Sequence, residues 1–271
     1  MPLLAIRDRF CDAGGPVAQN YPLIAQAGFD GVMIEHRDPL HPPKQDAIYR
    51  TSQKAALAKA NGLRIFCAHA SYMLGSELMD NGEKADAPFH YMMDCLRDLS
   101  ENEVPVMVAH AGSEALTPKG MDRFARLAAE GQRLGVRIAL ENLRDRGEVM
   151  QVIALLQAVR SPYLGLCFDA GHNNANADLP PLDLPAIADQ RLFMVHLHDN
   201  DGKSDQHMMP YDGTIDWAVT MRSVAKANRA VPILLELVER GHAELSPPDF
   251  LALAYARAKK LAALHEEAVC A

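Results

Sequence analysis

The chain lacks an excess of positive charge. Its 271 residues hold 27 lysines and arginines against 35 aspartates and glutamates, a formal net charge of -8. Nucleic-acid sites usually sit in a basic field, so this balance weighs against a general polyanion binder, while leaving room for a local basic groove. Cysteine is scarce. The five residues Cys11, Cys67, Cys95, Cys167 and Cys270 are odd in number and lack CxxC spacing. That pattern argues against a disulfide framework and fits reduced thiols in a cytoplasmic protein. No apolar run approaches the roughly 20 residues of a membrane span, and the N-terminus has no signal-peptide pattern. A Walker loop, a nucleophile elbow and a dinucleotide fingerprint are all missing. No Ser/Gly- or Pro-rich linker divides the chain, so one domain over residues 1–271 is the expectation.

What the chain does have is a cadence. A carboxylate or histidine closes one apolar run after another: Glu35, His69, His110, Glu141, Asp169, His196 and Glu236, at intervals of 27 to 41 residues. Each interval has room for a loop, a helix and a strand. Strand–helix repeats with polar residues at the strand ends predict an α/β fold, a (β/α)8 barrel whose active site lies at the C-terminal ends of the strands. Strands are expected at Leu3–Arg7, Gly31–Glu35, Arg64–His69, Val104–His110, Val136–Glu141, Leu164–Asp169, Leu192–His198 and Val231–Leu237. Such continuously apolar runs suit parallel strands covered by helices. Helical periodicity fills Asn20–Ala27, Gln45–Ala60, Pro88–Glu101, Pro118–Leu134, Gly147–Val159, Pro185–Gln190, Ile215–Asn228 and Pro248–Glu267. The longer loops, His36–Lys44, Ala70–Ala87, Ala170–Leu184 and Asp199–Thr214, follow strand ends, where a barrel builds its pocket.

The polar residues at these ends are hard metal ligands and general bases. Glu141 and Glu236, ending the fifth and eighth strands, face each other across a barrel and could hold a metal between them. In Phe168-Asp169-Ala170-Gly171-His172, a three-residue step through a glycine turn lets Asp169 and His172 converge. His196 and His198 share a strand face, because strand side chains alternate, and burying both without a partner would be costly. Asp205 and His207, also two apart, could both aim inward from an extended loop. His69 and His110 end the third and fourth strands. Glu35 is placed to bind a substrate hydroxyl. Lys203 could neutralise an anionic group, and Trp217 could form a lid or pocket wall as readily as ordinary packing.

With these residues in view, the chain resembles the xylose isomerase-like TIM-barrel superfamily over nearly its whole length. The resemblance rests on Ala-Leu-Glu-Asn at 139–142, Phe-Asp-Ala-Gly-His at 168–172, His-Leu-His-Asp-Asn-Asp-Gly-Lys-Ser-Asp-Gln-His at 196–207 and Gly-Thr-Ile-Asp-Trp at 213–217. Two branches are matched. The sugar isomerase and epimerase branch implies one divalent ion, zinc, manganese or magnesium, on Glu141, Asp169, His196 and Glu236, with His196 preferred over His198. The same branch implies Glu141 and Glu236 as the proton-transferring pair, and substrate contacts from Glu35, His172, His198, Lys203 and Trp217. The zinc-dependent apurinic endonuclease branch implies up to three ions, adding His69, His110, His172, Asp205 and His207.

The acidic balance and the second-strand segment Gly28–Glu35, which looks like that of sugar isomerases, favour the first branch. The expected function is isomerisation or epimerisation of a sugar, keto-sugar or polyol through a metal-stabilised enediolate. Phosphodiester hydrolysis at abasic DNA is the alternative, and a non-catalytic metal- or sugar-binding barrel is a third. The expected partner is a small-molecule sugar or polyol, with no membrane. The apolar C-terminal helix around Phe250–Leu264 offers a face for a homodimer.

Overall fold

The structure, a computed structural model, describes residues 1–10, 17–36, 50–71, 76–112, 115–176 and 183–270. Eight strands form one parallel sheet: β1 (Leu4–Arg7), β2 (Gly31–Glu35), β3 (Arg64–His69), β4 (Val106–Ala109), β5 (Arg137–Glu141), β6 (Leu164–Asp169), β7 (Leu192–His196) and β8 (Ile233–Leu235). Each strand pairs with its neighbour in the chain, and β1 also pairs with β8. The remaining seam closes through a bridge between Leu197 and Leu235. There Leu197 N donates to Leu234 O at 2.9 Å and Glu236 N donates to Leu197 O at 3.2 Å. The result is the expected (β/α)8 barrel.

The outer layer consists of α1 (Asn20–Ala27), α2 (Thr51–Ala60), α3 (Asp86–Glu101), α4 (Pro118–Leu134), α5 (Arg146–Ala158), α6 (Ala170–Asn174), α7 (Leu184–Ala188), α8 (Trp217–Ala227) and α9 (Pro247–Cys270). Local chemistry sets their ends. Thr117 caps α4 by accepting from Gly120 N at 3.0 Å, Pro118 occupies the first turn, and Gly135 ends the helix at φ 75°. This follows the usual asymmetry of a capping hydroxyl before a helix and a left-handed glycine after it. Asp145 caps α5 and Asp216 caps α8 in the same way.

Two apolar cores result. The larger lies between strands and helices and includes Phe10, Tyr21, Ile24, Phe124 and Phe250. The smaller fills the barrel and includes Ala5, Met33, Cys67, Val108, Ala139, Cys167, Met194 and Leu234, one from each strand. Because strand side chains alternate, the residue two positions further on points the same way. That next layer reads Arg7, Glu35, His69, His110, Glu141, Asp169, His196 and Glu236. The chain thus fills its barrel with a small apolar plug and sets a complete ring of polar residues directly above it.

Some expected boundaries move. β4, β7 and β8 stop short, leaving His110, His198 and Glu236 just beyond the ladder. The 170–184 segment, expected as loop, begins with the short helix α6, capped by Asp169 accepting from His172 N at 2.7 Å. The 70–87 segment contains 3-10 turns at Ser76–Met79 and Glu83–Ala85. Residues 45–49 of the expected second helix, most of the 36–44 loop and Cys11 lie outside the described residues. The apolar face of α9 (Phe250, Leu251, Ala254, Ala258, Leu261) is buried within the same chain. Cys67, Cys95, Cys167 and Cys270 are free thiols. Among the described residues, no helix is long and apolar enough to cross a membrane.

Candidate metal centre

Glu141 is the hub of the polar ring. Its Oε2 lies 2.7 Å from His110 Nε2 and 3.0 Å from His69 Nε2. Its Oε1 lies 2.8 Å from His196 Nδ1. The same His196 nitrogen is 2.9 Å from Glu236 Oε2 and 4.0 Å from Asp169 Oδ2. Next to Glu141, Asn142 clamps β5 to β6: its Nδ2 donates to Asp169 O and its Oδ1 accepts from Asp169 N, both at 2.9 Å. This pair fixes where Asp169 enters the ring.

Among the described residues, the ligand-type atoms fall into three groups, each compact enough to hold one cation. They are His69–His110–Glu141, Glu141–Asp169–His196–Glu236 and His172–His198–Asp205–His207, with ligand atoms within 4.8 Å of one another in each. Glu141 belongs to two of them. Asp205 and His207 reach the site because Asp199 and Met208 pair as a short antiparallel bridge, folding the 199–214 loop back over the barrel. Asp199 organises that loop from inside, accepting from Asn200 N, Tyr211 N, Ile215 N and Trp217 Nε1.

Hydrogen bonds on the far side of the rings fix their orientation. His69 Nδ1 donates to Ala70 O at 2.7 Å, His172 Nδ1 to Asn142 O at 3.0 Å and His207 Nδ1 to Glu236 O at 2.8 Å. In each ring the Nε2 atom is left facing carboxylates. A neutral imidazole with its proton on Nδ1 presents a lone pair there, and a lone pair facing a carboxylate oxygen is repulsive unless a proton or a metal ion lies between. A histidine that gives its other N–H to a backbone carbonyl is the usual arrangement of a metal ligand. The second group fits a metal as well. Asp169 is fully buried, and its Oδ2 has no hydrogen bond. With oxygen and imidazole donors, the three groups suit zinc or another first-row dication.

Without a cation, protons take over the balancing charge. Burial alone would lower the His172 pKa, but Asp169, Asp205 and Glu141 outweigh it and push it up to about 10. Burial opposes His207 too, yet Asp205 and Glu236 raise it to about 9. His196 is raised well above the imidazole range against its burial, by Cys167, Glu236 and Glu141. Burial would raise Glu141 and Glu236, but the neighbouring histidines hold both well below the carboxylate range.

The sequence-predicted residues separate into those brought together and those left out. All nine ligand candidates converge, and His196 rather than His198 joins Glu141, Asp169 and Glu236. His198, expected at the substrate, is instead 0% exposed in the third group. Trp217, for which pocket wall and ordinary packing were equally open, is buried, with its indole N–H donating to Asp199 Oδ2 at 2.9 Å. It anchors the loop from behind because α8 turns its first residue into the core. Lys203 is exposed on a turn capped by Asp201, which accepts from Lys203 N at 2.9 Å.

Glu35 lies at the exposed rim of the ring and is paired with Arg7, whose charge and hydrogen bond hold its carboxyl below the usual range against partial desolvation. Arg7 is the ring residue that sequence reasoning missed. Its neighbours in the chain give no hint, but its position two residues after the inward-facing Ala5 does. Beneath the pair, buried Lys54 reaches fully buried Asp8 at 3.0 Å and donates to Glu35 O at 3.3 Å.

The family model described as xylose isomerase-like TIM barrel matches residues 22–258. Among curated proteins, y4fM of Sinorhizobium fredii is 31% identical over 106 residues, covering 37% of this chain and 33% of that protein. MJ1311 of Methanocaldococcus jannaschii is 27% identical over 151 residues, covering 46% and 49%. The chain thus matches between a third and a half of the length of these relatives. Among solved structures, a xylose isomerase domain protein from Alicyclobacillus acidocaldarius aligns with TM-score 0.73 at 17% identity, covering 98% of this chain and 100% of that one. An IolI protein with a bound zinc atom aligns with TM-score 0.75 at 17% identity, covering 98% and 99%. D-Psicose 3-epimerase from Clostridium cellulolyticum, solved with D-tagatose, aligns with TM-score 0.70 at 14% identity over the same shares. At these identities the solved structures speak for the fold alone.

Proposed function

Because this chain belongs to the xylose isomerase-like TIM-barrel family, we propose that it is a divalent-metal-dependent isomerase acting on a sugar, keto-sugar or related polyol. One observation carries the reading: the buried Glu141–Asp169–His196–Glu236 group shares its ring with the Arg7–Glu35 ion pair. Dications held by the first group, and by His69–His110–Glu141 beside it, would stabilise negative charge on adjacent carbonyl and hydroxyl oxygens of a substrate. Arg7 and Glu35 offer donors and an acceptor for further hydroxyls. The epimerase among the structural neighbours, solved with a ketohexose, supports the same substrate class.

The residues differ in their freedom to move a proton. Both oxygens of Glu141 are taken, by His69 and His110 on one side and His196 on the other. Glu236 has one oxygen at His196 and keeps some exposure, 8%. Glu236 is therefore the proton-transferring carboxylate and Glu141 a bridging ligand. A single base removes and returns a proton on one face, which favours isomerisation over epimerisation. The test is a panel of aldoses and ketoses with metal-depleted protein reloaded with zinc, manganese, cobalt or magnesium, run in deuterated water. Interconversion that chelation abolishes and Glu236→Gln removes supports the reading. Tight binding across the panel without turnover would instead mark a non-catalytic binding barrel.

A second reading is favoured by the three ligand groups taken together. Nine residues match the set expected for zinc-dependent hydrolysis of phosphodiesters at abasic sites, and two- and three-ion centres suit phosphoryl chemistry. The net charge of -8 weighs against a DNA substrate. Incubation with an abasic duplex, with and without chelator, decides between the two.

A further inference from the structure

We propose that His172, His198, Asp205 and His207 form a closed, four-ligand zinc site that pins the 199–214 loop to the barrel and takes no part in substrate binding. The inference rests on the metal reading of the centre above, and goes beyond it by giving one of the three positions a different task.

His198 carries the argument. It is 0% exposed, and neither ring nitrogen has a hydrogen-bond partner. Its Nε2 sits 3.1 Å from Asp169 Oδ1, yet not in hydrogen-bonding geometry, and that oxygen already accepts from His172 N. A buried imidazole without partners is costly, so both the burial and the orientation call for a ligand. The fold makes room for the ring. A Cβ on Gly171 would lie 1.9 Å from His198 Cε1, so only glycine lets the ring occupy this place.

The other three ligands arrive already oriented. His172 and His207 give their Nδ1 protons to backbone carbonyls, and each aims Nε2 at Asp205 from 3.3 Å. His207 adopts a left-handed backbone at φ 49°, a conformation a non-glycine residue holds when its surroundings impose it. Its ring stacks on His198 with centroids 4.0 Å apart.

Ligand type and number together separate this site from its neighbours. The Glu141–Asp169–His196–Glu236 group also supplies four ligands, but three of them are carboxylates. Oxygen-rich sets suit cations that take more than four ligands and so keep positions for substrate oxygens. Structural zinc sites use four protein ligands, while catalytic ones use about three and leave a position for water or substrate. The His69–His110–Glu141 group supplies three and so retains an open position. The third group supplies four, three of them imidazoles, which selects zinc over magnesium or manganese. The ligands come from α6, from just past β7 and from the returning loop, so a bound ion would tie these segments together.

The test compares zinc content and thermal unfolding of wild-type protein and His198→Asn after passage over a weak chelator. The expected result is about one zinc ion fewer per chain in the variant, with a lower unfolding temperature. Cobalt substitution of the wild type provides a second readout that needs no variant. Azide should perturb the visible bands of open positions and leave the bands of a four-ligand tetrahedral site unchanged. Equal zinc content in both proteins, or azide sensitivity of every cobalt band, overturns the closed site alone. Wild-type protein that takes up no zinc under any loading condition overturns the metal reading as well.

Discussion

His69 places Nε2 3.0 Å from Glu141 Oε2 while its Nδ1 donates to the Ala70 carbonyl at 2.7 Å. The ring cannot satisfy both contacts as a neutral species. In the metal-free protein it carries two protons, and Glu141 raises its pKa against the effect of burial. Metal ligation requires the neutral ring. Zinc added to metal-free protein near neutral pH should therefore release protons, from His69 and also from His172, His196 and His207. Titration in weakly buffered solution with a pH indicator measures the release, and zinc uptake without acidification would contradict it.

The same charges set how the metal-free protein responds to pH. His172 at about 10 and His207 at about 9 lie above their ordinary value of 6.5. A pKa raised by folding gives stability that is complete below the unfolded value and lost as pH climbs through the folded one. Metal-free protein should thus weaken steadily from about pH 6.5 to about pH 10. Urea midpoints measured in chelator across that window should fall, and zinc-loaded protein should lose much less. A midpoint that rises with pH would be the opposite result.

Arg7 touches Glu35 and lies within the field of Glu236. If it grips substrate oxygens, Arg7→Met should raise KM by roughly 10- to 100-fold, the loss of one or two charge-assisted hydrogen bonds, and leave metal content unchanged. Steady-state kinetics beside elemental analysis separates this from a structural role. A loss of bound metal would show that Arg7 supports the ligands instead.

Lys54 and Asp8 form an ion pair that is almost fully buried, with Tyr21 Oη donating to Asp8 at 3.2 Å. Lys54→Met strands the Asp8 carboxylate in the core and should cost about 3–5 kcal/mol of stability. The double variant Lys54→Met/Asp8→Leu should recover much of it. Denaturant unfolding of the three proteins checks both expectations, and a single variant as stable as wild type would refute the buried-charge argument.

The barrel was legible in the sequence because its strands are buried on both faces, so each appears as an unbroken apolar run. The candidate ligands stood out because polar residues end those runs. Arg7 was hidden for the same reason in reverse: an arginine after Leu-Ala-Ile looks like an ordinary exposed strand end, and only the alignment of inward positions across all eight strands places it in the ring. The roles of His196 and His198 could be proposed from motif but not decided from spacing, since both share a strand face. Their separation depends on β7 ending at His196 and on the room left by Gly171. For Trp217 the sequence left pocket wall and ordinary packing equally open, because its direction depends on the cap at Asp216 and on the buried Asp199, neither of which leaves a periodic signature.

In the proposed reading one carboxylate, Glu141, joins two metal positions. The most direct test is the metal content of zinc-loaded wild-type protein against Glu141→Gln, measured by elemental analysis after gel filtration. About three ions per chain are expected in the wild type and about one in the variant, because removing the shared ligand empties two positions at once. A wild type that holds about one ion, or a variant that keeps the wild-type number, would contradict it.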